Sequence, residues 1–321
     1  MATEHEPKTL LEAVVHFTNQ DNCLSYLATR RWPNGVVVCP RCGSTDVGFI
    51  ASRRVWQCKT RHQLAQFSIK VGTIFEDSPL GLDKWLPALW MIGNDKNGIS
   101  SWELHRALGV TQKTAWFMLH RIRLAMQVST TGGKLGGEVE VDETFVGGKA
   151  RNMHKDKRIE KIVGRGPGNK AIVAAVLERG GKVRAKVIGT RKKGDLQKLV
   201  RENVEAGSSV YSDALKSYDE LSGDFTHQVV DYAQCYVNGQ VHTNGMENFW
   251  SLLKCGINGT YVSLEPFHLF RYVDEQAFRF NNRIEMNDAD RFNALVCQIA
   301  GKRLTYAELT ANGDKKPEAE S

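Results

Sequence analysis

The pattern of apolar and polar positions divides the chain of 321 residues into helical and strand-forming regions. Apolar residues recur every three or four positions at 8–30 and 80–128, which predicts helices. Between them, residues 33–75 are punctuated by Gly and Cys and contain short β-like runs. Strand and helix patterns alternate at 137–290, and the polar tail from Asn312 is typical of disorder.

The alternating region begins with a predicted meander of three strands. Period-two alternation at 138–146 predicts a half-buried strand, and strand runs at 171–177 and 182–188 flank the hairpin sequence Arg179-Gly-Gly. Helix, strand, helix, strand and helix patterns follow, and the last helix begins at Asn244. This is the ribonuclease-H-like order, so we predict an α/β fold whose mixed five-stranded sheet is flanked by helices.

Composition and charge narrow the classes of protein. The chain has no apolar run of about 18 residues and no apolar signal region at its start, so we expect no membrane partner and a cytoplasmic location. A net charge of +7 is compatible with a polyanionic partner. The seven cysteines are odd in number and unevenly spread, which argues against a disulfide framework.

Three of the cysteines fall within twenty residues and predict a structural zinc site. Cys39 and Cys42 form a C-x-x-C knuckle, and Cys58 and His62 follow as a C-x-x-x-H pair. Four such ligands in two close pairs suit tetrahedral Zn²⁺ and leave no position for a substrate. A standard ribbon would carry a second Cys just before His62, so the fourth ligand is the weaker assignment. Buried free cysteines or a redox motif are the alternatives.

Basic residues surround this zinc ribbon, and they suit either a DNA-facing module or a solvated surface. They are Arg41, Arg53, Arg54, Lys59 and Arg61.

The second helical region resembles a helix-turn-helix. Ser100 or Ser101 can cap one helix, Gly109 ends it, and Thr111 caps the next, which runs to about Met126. The recognition helix would then open with three polar residues positioned to reach base edges, Gln112, Lys113 and Thr114. The alternative is a plain helical hairpin that packs a core.

Three carboxylates fall where a ribonuclease-H-like fold would gather them: Asp142 on the first strand, Asp213 after the fourth, and Glu247 on a late helix. Crowded carboxylates repel unless cations neutralise them, and hard ions such as Mg²⁺ or Mn²⁺ prefer oxygen ligands. An isolated acidic residue is usually just solvated. On sequence alone, three neighbours compete with Asp142, namely Glu138, Glu140 and Glu143, although alternation puts Glu143 on the opposite face.

Several motifs resemble the ISXO-like insertion-sequence transposases over about residues 15–290. They are Val141-Asp-Glu-Thr-Phe-Val-Gly-Gly-Lys, Tyr211-Ser-Asp, Asn244-Gly-Met-Glu-Asn-Phe-Trp-Ser-Leu-Leu-Lys, Tyr272-Val-Asp-Glu-Gln-Ala-Phe-Arg-Phe-Asn-Asn-Arg, Trp32-Pro-Asn-Gly and Val71-Gly-Thr-Ile-Phe-Glu-Asp-Ser-Pro. That family carries a zinc ribbon ahead of a DDE transposase domain.

The resemblance implies that Asp142, Asp213 and Glu247 are the DDE triad, which holds two Mg²⁺ or Mn²⁺ ions. It implies a bacterial, nucleoid-associated enzyme that binds the terminal inverted repeats of its element, cleaves double-stranded DNA and joins the freed end to target DNA. We expect a homodimer or higher oligomer on DNA. The rival hypothesis is a non-catalytic regulator that binds DNA through its ribbon and helices.

Three further basic residues are candidates for DNA contact. Lys254 lies seven residues after Glu247, so both project from nearly the same helix face, and the E-x6-K pattern recurs in the family the chain resembles. Arg279 and Arg283 continue a series from Glu275 at i, i+4 and i+8, which also suits a surface ion-pair ladder. His242 precedes the catalytic helix as a cap or surface residue and is not assigned a catalytic role.

The predicted organisation has five parts. They are an N-terminal helical segment at 1–30, a zinc ribbon at 31–75, a helical DNA-binding region at 80–130, the ribonuclease-H-like catalytic domain at 135–290, and a C-terminal helix with a disordered tail at 291–321.

Overall fold

The computed structural model describes residues 6–127, 133–148, 170–213, 215–218, 221–230, 242–262 and 264–311. The tail from Asn312, for which the sequence predicts disorder, lies outside the described residues. The chain divides into two compact units, the first formed by 1–127 with 284–321 and the second by 128–283.

The helices in the described ranges are α1 Leu10–Phe17, α2 Gln20–Arg31, α3 Leu82–Asn94, α4 Ser101–Leu108, α5 Gln112–Met126, α6 Lys193–Asn203, α7 Asn244–Cys255, α8 Leu269–Asn281, α9 Asp288–Val296 and α10 Tyr306–Thr310. The strands are β1 Val47–Ile50, β2 Val55–Cys58, β3 Gln66–Phe67, β4 Glu138–Val146, β5 Ala171–Glu178, β6 Val183–Ile188, β7 Ser209–Asp213 and β8 Thr226–Val230. None of the helices described is long and apolar enough to cross a membrane.

The first unit splits the predicted N-terminal helix in two. The first segment ends at Phe17, and Asn19 caps α2, because its side chain accepts a hydrogen bond of 2.8 Å from the backbone N–H of Asp21. Downstream, α9 returns to pack on this unit, where Phe292 contacts Phe17 and stacks on Tyr26. Residues after 283 therefore complete the core of the N-terminal unit.

The zinc ribbon is a small antiparallel sheet in the order β1-β2-β3. Its core is aromatic: Trp56 packs edge-on against Trp32 at 5.2 Å between ring centroids and stacks on Phe67 at 6.0 Å. So small a core buries little apolar surface, which is why a metal is expected to contribute to its stability.

The second unit contains the predicted mixed five-stranded sheet, in the order β6-β5-β4-β7-β8. Strands β4, β5 and β6 are antiparallel neighbours, whereas β7 pairs parallel to β4 and β8 parallel to β7. The α/β fold expected from the alternation is thereby confirmed. One local difference is that the second of the predicted helices after the meander appears, in the described residues, as two short 3-10 turns, Lys216–Tyr218 and Leu221–Gly223.

Alternation along the strands divides the core of this unit between the two faces of the sheet. Val173, Ala175 and Leu177 of β5 pack against α7 and α8, whereas Ala174 and Val176 pack on the α6 side. In β4, Val139 and Val141 belong to the α6 side and Val146 to the α7 side. The even-numbered residues of β4, Asp142 among them, therefore face helix α7.

Candidate functional site

Asp142 lies half-buried in the middle of β4, on the face covered by α7. Its Oδ1 accepts the backbone N–H of Glu143 at 2.8 Å, and its Oδ2 accepts the indole N–H of Trp250 at 2.9 Å. Burial raises the pKa of Asp142 to about 7, these two hydrogen bonds oppose the rise, and the charges of Glu143 and Asp213 add to it. A nearby cation would therefore stabilise the charged form of this carboxylate.

Asp213 ends β7, beside the strand that carries Asp142. The parallel register pairs Glu140 with Tyr211, and continuing it by two residues places Asp213 alongside Asp142. Its Oδ1 accepts the backbone N–H of Leu215 at 3.2 Å. The structure thus brings two of the three predicted carboxylates together at adjacent strand positions.

Glu143, the rival of Asp142, lies on the opposite face of β4, as the alternation predicts. Its carboxylate accepts a hydrogen bond of 2.9 Å from the hydroxyl of Tyr218 and pairs with Arg191 at 2.8 Å. Burial raises the pKa of Glu143, and the charge of Asp213 contributes to the rise. Both oxygens of Glu143 therefore have partners within the protein, whereas Asp142 faces the helix that carries Glu247.

Glu247 lies in the first turn of α7 with an exposed side chain. Five apolar residues in and just after this helix belong to the core between α7 and the sheet, namely Met246, Phe249, Trp250, Leu253 and Ile257. Glu247 and Lys254 lie beside these core residues on the helix, three residues before and four residues after Trp250, and both are exposed. The structure does not gather Asp142, Asp213 and Glu247 within 4.8 Å of one another. Over the described ranges, the only group of three or more metal-ligating side chains gathered within 4.8 Å is the one in the zinc ribbon.

That group is the predicted zinc-ligand set. The ligand atoms of Cys39, Cys42, Cys58 and His62 all lie within 4.8 Å of one another. Cys42 Sγ is 3.6 Å from Cys58 Sγ, and Cys39 Sγ is 3.6 Å from His62 Nε2. Two thiolates at about 2.3 Å from a tetrahedral zinc lie roughly 3.8 Å apart, so these separations fit the ion.

Backbone groups orient the ligands. His62 Nδ1 donates to the carbonyl of Gln63 at 2.7 Å, which directs Nε2 toward the cysteines. The knuckle closes through the backbone N–H of Gly43, which bonds to the carbonyl of Cys39 at 2.9 Å, with Gly43 at a φ of 74°. Burial raises the pKa of Cys39, but hydrogen bonds from the backbone of Arg41 and Cys42 and from the Cys42 side chain together lower it below its ordinary value. The thiolate form suits a metal ligand.

Three of the ribbon's basic residues form ion pairs or hydrogen bonds within the first unit. Arg54 pairs with Asp21 at 2.5 Å and Lys59 with Asp46 at 2.8 Å. Arg53 donates to Gln66 at 2.9 Å, whereas Arg41 is simply exposed.

The helix-turn-helix geometry forms as predicted. Ser100 makes a capping box with Glu103, Gly109 ends α4 in the left-handed conformation, and Thr111 caps α5. Two of the three residues expected to reach DNA have partners inside the unit. Gln112 donates to the hydroxyl of Ser101 at 2.8 Å, and the ammonium of Lys113 lies 4.7 Å from the ring centroid of Tyr306.

The surface ion-pair ladder expected along α8 is wrong, and so is a DNA contact by Arg279. Glu275 is 0 % exposed and Arg279 8 %, and the two form a buried ion pair that Gln276 and Tyr261 join. The helical periodicity was right, but this face of α8 is turned inward. Arg283 is exposed beyond the helix end, with its guanidinium 3.6 Å from the ring centroid of Phe280.

Sequence reasoning missed several residues that hold the carboxylates. The sequence analysis gives Trp250 no role of its own, although an indole N–H in a buried position needs an acceptor. Glu140, buried at 1 % exposure two residues before Asp142, pairs with Arg179 at 3.0 Å. The available signal was the alternation of β4, which puts Glu140 and Asp142 on one face.

Known protein families match the two parts of the chain described above, the unit with the five-stranded sheet and the zinc ribbon. Residues 134–281 match the ISXO2-like transposase domain, and residues 18–60 match the transposase zinc-ribbon domain. An "uncharacterized protein in transposable element ISH50" from Halobacterium salinarum is 30% identical over 251 residues, covering 74% of this chain and 83% of that protein. An "uncharacterized transposase-like protein" from Haemophilus influenzae is 29% identical over 102 residues, covering 32% and 82% respectively.

Proposed function

Because this chain belongs to the ISXO2-like transposase family, we propose that it is an active DDE transposase of an insertion sequence. In this proposal it binds the ends of its element through the first unit and cleaves and joins DNA strands with Asp142, Asp213 and Glu247. The observation that carries it is the placement of Asp142 and Asp213 at adjacent positions of parallel strands, on the face covered by the helix that bears Glu247.

The donor set fits divalent magnesium or manganese. All three side chains offer hard oxygen donors, and the pKa of Asp142 is raised by burial and by neighbouring carboxylates, a condition that a bound cation reverses. When bound, a pair of such ions activates the attacking oxygen and stabilises the leaving oxygen of a phosphodiester. Asp142 and Asp213 would hold the ions from the sheet, and Glu247 from the helix.

The other residues have supporting roles in the proposal. Trp250 orients the Asp142 carboxylate through its indole N–H, and Lys254 meets a DNA phosphate on the exposed face of α7. Cys39, Cys42, Cys58 and His62 hold one structural Zn²⁺. No side chain serves as a covalent nucleophile, because water and then the freed 3′-hydroxyl attack the phosphodiester.

Cleavage of DNA that carries the element ends tests the proposal. The wild-type protein should nick such DNA only when Mg²⁺ or Mn²⁺ is present, and chelation should stop the reaction. A non-catalytic regulator would bind the same DNA and leave it intact under every metal condition, which would overturn the proposal.

A further inference from the structure

Arg179, just after β5, contacts two of the elements that bear the proposed catalytic carboxylates, β4 and β7, and the segment that leads into the third, α7. Its Nε donates to Glu140 Oε1 at 3.0 Å, and its Nη2 donates to the carbonyl of His242 at 2.8 Å. Its guanidinium also lies 4.2 Å from the ring centroid of Tyr211. One planar group thus touches β4, β7 and the residue that leads into α7.

Glu140 continues this connection to the helix. Its Oε1 pairs with Arg179, and its Oε2 accepts the backbone N–H of Met246 at 2.9 Å. Thr243, the N-cap residue of α7, makes no side-chain capping bond, so Glu140 supplies the capping oxygen from the neighbouring strand. A carboxylate in this position is also stabilised by the helix dipole.

Each contact lies close to one member of the triad. Glu140 is two residues before Asp142 and shares its face of β4, and Tyr211 is two residues before Asp213 and shares its face of β7. Met246 directly precedes Glu247. We propose that Arg179 and Glu140 are positioning residues that fix the relative placement of the three carboxylates; this rests on the proposed function.

Gly245 supplies independent evidence that the start of α7 packs closely against Glu140 and the sheet. A Cβ at this position would lie 2.8 Å from Glu140 Oε2 and 2.6 Å from a methyl of Leu177. Any larger residue would push α7 away from the sheet or displace Glu140. The absence of a side chain at Gly245 therefore lets the helix N-terminus approach the carboxylate that caps it.

The energetics favour a positioning role over a contribution to stability alone. A buried ion pair gains little net stability, because removing both charges from water offsets their attraction. The pair does fix the relative orientation of the groups around it, since a planar guanidinium holds several acceptors in a defined geometry at once. Arg179→Lys keeps the charge and loses this fork, so it separates the two roles.

The test measures Mn²⁺ binding by electron paramagnetic resonance without DNA, and then single-turnover cleavage as Mn²⁺ is titrated. For Arg179→Lys and Glu140→Gln, we expect the Mn²⁺ concentration for half-saturation to rise tenfold or more in both assays, with excess Mn²⁺ partly restoring cleavage. Arg184→Lys is the matched control, because Arg184 lies on β6 and bonds instead to Asn203 and Gly133.

Gly245→Ala keeps every charge and serves as a second variant if Arg179→Lys does not fold. We expect the same rise in the Mn²⁺ concentration for half-saturation. Wild-type Mn²⁺ affinity and cleavage in folded Glu140→Gln and Gly245→Ala proteins would overturn the positioning role while leaving the transposase proposal intact. A wild-type protein that neither binds Mn²⁺ nor cleaves, or an Asp142→Asn protein that binds it as wild type does, would overturn both.

Discussion

The indole N–H of Trp250 donates a hydrogen bond of 2.9 Å to Oδ2 of Asp142, which ties the helix bearing Glu247 to the strand bearing Asp142. Trp250 is 5 % exposed and also belongs to the apolar core between α7 and the sheet. Packing of the helix and orientation of the carboxylate therefore depend on the same side chain.

Trp250→Phe should preserve most of the packing and remove this hydrogen bond. Hydrogen bonds to charged groups contribute about 1.5–3 kcal/mol, so we expect single-turnover cleavage to fall roughly tenfold or more. Phe267→Leu is the control, since Phe267 is an aromatic residue of the same unit that is 40 % exposed. Equal cleavage rates in the two variants at saturating protein would show that the indole N–H has no role in orienting Asp142.

Asp142 gives a stability prediction that needs no DNA. Its pKa is raised to about 7 in the folded protein, so the folded state binds this proton more tightly than the unfolded state does. The resulting stabilisation is complete below the ordinary carboxyl pKa of about 4 and is lost as pH rises through about 7. Asp142→Asn cannot ionise and escapes the loss.

In metal-free buffer, the Asp142→Asn protein should therefore gain in Tm relative to wild type as pH rises from about 4 to 8, by a few degrees. Scanning calorimetry at both pH values measures the gain. A Tm difference that stays constant between them would mean that Asp142 does not titrate in this range.

The zinc assignment predicts about one equivalent of zinc per chain. Cys42→Ser removes an exposed ligand and should release the metal, because the ligands that remain hold it more weakly. Cys297→Ser is the matched control, since Cys297 is an exposed cysteine outside the group. Elemental analysis of both proteins checks this, and full zinc occupancy in a Cys58→Ser/His62→Ala double variant would contradict the assignment.

Lys254 should contribute one phosphate contact. Lys254→Ala is expected to weaken binding to element-end DNA and to reduce the slope of log affinity against log salt by about 0.9. Lys198→Ala is the control, because Lys198 is an exposed lysine on α6, which packs on the opposite face of the sheet. An unchanged salt slope with wild-type cleavage would make Lys254 an ordinary surface residue.

The sequence predicts the sheet and the cysteine and histidine cluster of the ribbon well because both leave local patterns. Period-two alternation places Asp142 and Glu143 on opposite faces, and paired spacing identifies Cys39 and Cys58 in separate halves of the ribbon. Periodicity alone cannot tell which element covers a polar face. Arg279 was therefore expected at the surface, although it is buried against Glu275.

Contacts between distant segments are the part that the sequence did not reveal. Glu140 and Met246 are 106 residues apart in the sequence, and Asp142 and Trp250 are 108 apart. Only the assembled sheet with α7 packed on it brings each pair together. The split of the N-terminal helix did leave a local signal, because residues 18–22 are all polar and include the N-cap Asn19, but the apolar spacing at 10–17 does not by itself show where that helix ends.

The most direct test of the account is strand cleavage and transfer by the three carboxylate variants. Asp142→Asn, Asp213→Asn and Glu247→Gln each preserve volume and remove a charge proposed to hold the metal pair, so each should abolish both reactions while binding element-end DNA normally. Glu202→Gln, an exposed glutamate on α6, should react as wild type does. Activity retained in Asp142→Asn but lost in Glu143→Gln would contradict the choice of carboxylate, and activity retained in all three variants would contradict the central claim.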